Sequence, residues 1–133
     1  MTLGEYLRTC SAKSFAWAEH DCATFIAGWA RMHLGRDPLS FAPYDDAKSA
    51  TRLMRSPEGF QGVVTHCLES AGAVPTETME RGNVALVRAS TVNGKELTGA
   101  IVVRPAGRVA VVGKHGLIFH RLPVVKMWSV ARA

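Results

Sequence analysis

The hydrophobic period of this chain changes once, near Pro75, and that change restricts what it can fold into. Before Pro75, apolar residues recur every three or four positions, the spacing of an amphipathic helix. After it they alternate, the spacing of a strand with one buried face. Helices followed by a run of strands specify an α+β arrangement with an antiparallel sheet; alternating strands and helices would specify a parallel one. The expectation is N-terminal helices packed on a C-terminal antiparallel sheet or half-barrel. This is one domain over residues 1–133, mainly helical in 1–75 and mainly β in 76–133.

Local signals divide the helical part. Thr2 and Glu5 are spaced as a capping box, and Leu3, Tyr6, Leu7 and Cys10 follow at helical spacing. A second helix starts at His20-Asp21, with Asp21 as N-cap, and continues through Cys22, Phe25, Ile26 and Trp29 to a stop at Gly35. A third runs from about Asp45 to Arg55. Ser56-Pro57-Glu58 begins a fourth, with proline at the first helical position, and Gly72 and Pro75 close it. In the β part, Asn93-Gly94 is a hairpin turn pair after the strand Val84–Val87. Further strands are expected near Leu97–Arg104, Arg108–Val112, Leu117–His120 and Val124–Val130.

The net charge of +5 is uneven. Residues 1–76 carry seven Lys/Arg against eight Asp/Glu, whereas residues 77–133 carry nine against three. The basic excess of the β half suits an acidic partner. Its cations are, however, dispersed singly among apolar residues, as on the solvent side of a sheet. With no helix-turn-helix or RNP-like motif, nucleic acid is not the expected partner. Three cysteines with no CxxC spacing point to reduced thiols in a cytosol-like compartment. No signal-peptide pattern opens the sequence, and no apolar run reaches the roughly 20 residues of a membrane span. The expectation is a soluble protein without a membrane partner.

One segment carries chemistry: Phe15-Ala16-Trp17-Ala18-Glu19-His20-Asp21-Cys22. It places a thiol in the first turn of a helix, behind an aromatic residue and a capping carboxylate. Unpaired amides and the helix dipole stabilise an anion there, which lowers a thiol's pKa. Cys22 is therefore the candidate nucleophile. Trp17, His20 and Asp21 are the residues that would orient it or bind beside it. The competing reading is structural: Cys22 shares its helical face with Phe25, Ile26 and Trp29, and free cysteine often serves as a small buried hydrophobe.

The run Trp17 … Asp21-Cys22-Ala23-Thr24-Phe25 resembles the nucleophile motif of the NlpC/P60 cysteine peptidases, a papain-like family. It resembles still more closely a group of phage-encoded NlpC/P60-like proteins with a Phe-Ala-Trp-Gly-x-His-Asp-Cys signature. Gly82-Asn83-Val84, Gly99-Ala100-Ile101 and Trp128-Ser129-Val130 extend the likeness toward the C-terminus. The resemblance implies a place in the tail module of a long-tailed phage, with tail-tip or hub proteins as partners. The location would be the virion, or the host cytoplasm during assembly.

The sequence departs from the family where its chemistry is done. The resemblance places the family's histidine two residues before the strand glycine, and here that position is Leu97. Asn83 replaces an aspartate, and Ala18 a glycine. His115 and His120 remain as candidate bases, since such pairs are defined by geometry rather than order. His33 lies too far along its helix from Cys22 to touch it. A metal site built from His20, Cys22, His66 and Cys67 lacks a second ligand pair at zinc spacing. No metal or cofactor is therefore expected.

Two functions follow from the resemblance. One is a tail-tip or tail-assembly component that keeps the fold without the chemistry. The other is an active cysteine hydrolase, a peptidoglycan endopeptidase or amidase used during infection, with Cys22 paired to His115 or His120. A third and weaker reading is an accessory domain that binds peptidoglycan or nucleic acid without cleaving it.

Overall fold

The structure, a computed structural model, describes the chain except residues 17–18, 55–58, 92–93 and 131–133, and the side chains of residues 51, 53–54, 90–91 and 94–96. Four α-helices and a 3₁₀ turn precede the main strands. They are α1 (Leu3–Ser11), α2 (Cys22–Leu34), the 3₁₀ turn Pro38–Phe41, α3 (Ala47–Met54) and α4 (Gly59–Ala71). The strands are β1 (Val74–Pro75), β2 (Val84–Thr91), β3 (Gly94–Arg104), β4 (Arg108–Gly113), β5 (Gly116–Arg121) and β6 (Val124–Ser129). They form one antiparallel sheet in the order β1-β6-β2-β3-β4-β5. The chain is therefore α+β, as the change of period predicts.

The local signals act as physics requires. The Thr2 hydroxyl accepts from the Glu5 amide at 3.2 Å, and the Glu5 carboxylate accepts from the Thr2 amide at 3.2 Å. Gly35 ends α2 at φ 76°, a left-handed conformation that costs glycine nothing. The third helix begins at Ala47 rather than Asp45, because Ser49 bonds back to Asp45 and Asp46 and holds them outside the helix; Arg55, its expected end, lies outside the described residues. Ser56-Pro57-Glu58 lies outside the described residues, as does Asn93 of the expected hairpin turn. β2 and β3 do form a hairpin, but not in the register of an Asn93-Gly94 turn, which would set residue 92 opposite Lys95; Thr91 instead faces Gly94, and Gly94 is the first residue of β3.

The two sheet faces are buried differently. One carries Val84, Leu86, Ile101 and Trp128 against Leu3, Phe25, Trp29 and Leu68 of the helices. Trp128 is fully buried, and its indole N–H donates to the Glu69 carboxylate of α4 at 3.2 Å. The other face carries Ala85, Val87, Ala100, Val102 and Val109, all at 0% exposure, in a cluster without a described helical residue. Met79 and Leu122 of the connecting segments and Val124 of β6 pack against it, and its small alanines allow a tight interior. Register shifts after Leu86 and after Val102 mark local bends of the strands.

Among the described residues, no helix is long and apolar enough to cross a membrane.

Candidate functional site

The start of α2 is held by a reciprocal cap. The Asp21 carboxylate accepts from the Thr24 amide at 2.8 Å, and the Thr24 hydroxyl accepts from the Asp21 amide at 2.8 Å. Threonine thus occupies the place more often taken by Glu or Gln in a capping box. Asp21 is only 2% exposed. A buried carboxylate needs more than one amide, and the Tyr44 hydroxyl donates to both of its oxygens, at 2.6 Å to Oδ1. Burial, followed by the hydrogen bond and charge of Asp21, pushes the Tyr44 phenol above its ordinary range. Tyr44 comes from the loop after the 3₁₀ turn, and the sequence reading passed over it.

Cys22 is the first residue of α2 and stands over β3. Gly99 permits the close approach: a Cβ at that position would lie 2.7 Å from the Cys22 carbonyl oxygen and 3.0 Å from Ile26 Cδ1. The Cys22 side chain is half-buried. Its thiol does not have the lowered pKa expected at a helix start. Burial pushes it up, the Asp21 charge adds to the rise, and the Gly99 amide and Thr98 hydroxyl offset it only in part. Loss of solvent outweighs these hydrogen bonds.

The thiol opens on a cleft of about 680 Å³ between the helices and one end of the sheet. Leu97 and Thr98 of β3 flank Cys22 in its wall. Phe60, Val63, Val64 and Cys67 of α4 also line it. Phe15, Lys114 and Ile118 form the end toward the β4–β5 turn, where the Phe15 amide donates to the Lys114 carbonyl at 3.3 Å. Cys67 is buried, and desolvation pushes its thiol up to about 11. All three cysteines are free thiols.

The histidines lie elsewhere; among the described residues none lines the cleft. His20 is 5% exposed and tied by its backbone to Ala16, donating at 2.7 Å and accepting at 2.9 Å. Its Nε2 is buried without a hydrogen-bond partner among the described residues, and burial, reinforced by the Lys13 charge, lowers the imidazole pKa. His115 is exposed in the β4–β5 turn beside Lys114. His120 is exposed on β5, its Nδ1 accepting from the Arg121 amide at 3.0 Å. His66 is exposed on α4, and the His33 ring lies 4.2 Å from the Trp29 ring. The structure thus brings Asp21 and Cys22 together and leaves His115 and His120 away from the cleft wall. Trp17 lies outside the described residues. Among the described residues, no group of three His, Cys, Asp or Glu side chains is placed to hold a metal ion.

A profile described as a domain of unknown function, DUF6950, matches residues 1–130, almost the whole chain. The chain belongs to the DUF6950 family. Comparison with curated proteins and with solved structures finds no match. In this DUF6950 chain the cleft combines a buried cap, a thiol whose pKa is raised and an apolar wall.

Proposed function

We propose that this chain is a tail-tip or tail-assembly component of a phage, built on an NlpC/P60-like, papain-like fold whose cleft no longer performs hydrolysis. The observation that carries the proposal is Cys22 in a cleft wall beside Leu97, with no described histidine in that wall. Leu97 occupies the position where the resemblance places a general base. Losing such a base forfeits about 10²–10⁴-fold in rate. Burial of the thiol works in the same direction, since it depletes the thiolate that would attack a carbonyl. The helices-then-sheet order and the close seating of Cys22 on Gly99 support the kinship. Arg104, Arg108, Lys114 and Arg121 are all exposed on the β half, which suits docking on an acidic hub protein.

The second reading, a cysteine hydrolase acting on peptidoglycan, keeps one observation in its favour: Cys22 is not sealed off but faces an open cleft. Cys22→Ala in the phage separates the two. A structural component retains normal particle assembly and infectivity. Normal assembly with lost infectivity, together with loss of peptidoglycan cleavage by the purified protein, would establish the hydrolase.

A further inference from the structure

We propose that the free edge of β5, between Ile118 and Arg121, is a docking surface that takes an extended acidic segment of a partner protein as an added antiparallel strand. Such docking rests on the structural role proposed above for its partner being another protein.

The two edges of the sheet differ. β1, at one edge, is two residues long and ends in Pro75, which blunts it. β5, at the other, is six residues long and pairs with β4 alone. Gly113 and Gly116 face each other across a two-residue turn, so that pair exchanges ladder hydrogen bonds, as do Val111 with Ile118 and Val109 with His120. The backbone groups of Phe119 and Arg121 therefore point away from β4. In keeping with this, the Arg121 amide donates to the His120 ring, at 3.0 Å to Nδ1. α1 approaches the turn end of β5, where a Cβ on Gly116 would lie 3.1 Å from the Ser11 carbonyl oxygen. Past that end Ile118 to Arg121 are exposed, Ile118 at 50% and Phe119 at 44%.

Charge selects the occupant. Arg104 stands opposite Arg108, and Arg108 opposite Arg121, so three exposed arginines lie in one row across β3, β4 and β5. Like charges directly opposite one another destabilise a sheet. No Asp or Glu follows Glu96 in the sequence, and among the described residues none of the three arginines has an ion-pair partner. A second copy of the chain would set the same cations against this row, whereas an acidic strand neutralises it. Nucleic acid would satisfy the arginines but leave the outward backbone groups unused. Ile118 and Phe119, on opposite faces of β5, offer apolar contact to alternate side chains of an added strand.

The test is fluorescence anisotropy of a fluorescein-labelled peptide of about eight residues, Glu and Val in alternation, titrated with the full chain. Saturable one-to-one binding that weakens as salt is raised is expected. Arg121→Glu should weaken it about five- to tenfold. The same peptide methylated at every backbone nitrogen keeps its charge but cannot pair as a strand, and should bind about tenfold more weakly or worse. The Phe119 amide should exchange with solvent more slowly when the unmethylated peptide is bound. These last two readouts need no variant to fold. Equal binding of the methylated peptide, or an Arg121→Glu chain with wild-type affinity, would overturn the assignment. So would an oligothymidylate of equal charge that binds more tightly than the peptide, or a dimer of the chain that the peptide fails to disperse. Cys22→Ala phage decide the structural role separately: normal assembly there, with no peptide binding here, would sink this surface alone.

Discussion

The two ends of α2 lie in opposite environments. Toward its C-terminus, Trp29 is 5% exposed, donates its indole N–H to the Gly82 carbonyl at 2.8 Å and meets the Tyr6 ring at 5.6 Å. At its N-terminus, Cys22 is half-buried at the edge of a cleft, and the nearby polar groups are occupied in capping the helix. One end anchors the helix to the core. The other holds one wall of the cleft in place. The contrast teaches that the thiol's position is fixed by the fold without the thiol itself contributing much to stability.

Substitutions along α2 put numbers on that contrast. Trp29→Ala removes a buried aromatic and its hydrogen bond and should cost about 3–5 kcal/mol in urea denaturation. A cost below about 1 kcal/mol would show that the anchor is elsewhere. Asp21→Ala should cost about 2–4 kcal/mol, since it removes the cap and leaves the half-buried Tyr44 hydroxyl without this acceptor. A double-mutant cycle with Tyr44→Phe should return coupling of about 1.5–3 kcal/mol, and additivity would contradict the clamp. Gly99→Ala pushes a methyl group against the Cys22 carbonyl and should cost about 1–3 kcal/mol, with α2 and β3 forced apart.

Smaller still is a pH effect at His20. Burial lowers its folded-state pKa, so the neutral imidazole is favoured in the fold. Stability from this source is present above about pH 6.5, the ordinary histidine value, and is lost as pH falls from there through the lower folded value. His20→Leu should flatten that part of the stability curve. An unchanged slope would place the acid sensitivity elsewhere.

Much of this architecture is legible in the sequence where its cause is local. The Thr2–Glu5 box, the Asp21 cap, the Gly35 stop and the change of period at Pro75 each depend on neighbours within a few residues. What escaped notice depends on distance. Tyr44 reaches Asp21 across 23 positions from a loop with no periodic pattern. β1 is two residues long, and its Pro75 has no N–H to give a ladder, so no strand signal marks it. It pairs only with β6 at the sheet edge. The thiol's raised pKa was hidden for a related reason. The helix start that lowers it is written in the sequence, whereas the surroundings that desolvate it are assembled from β3 and the loop carrying Tyr44.

Whether Cys22 sits in this cleft as an unactivated thiol is read from the pH profile of its alkylation. Iodoacetamide labelling of the native chain, read by mass spectrometry of the peptide containing Cys22, gives the rate at each pH. Slow labelling at neutral pH is expected, with the half-maximal rate above the ordinary thiol value of about 8.5. Rapid labelling at or below pH 7 would contradict it, and an inflection tracking a histidine would identify the base that the cleft is here said to lack.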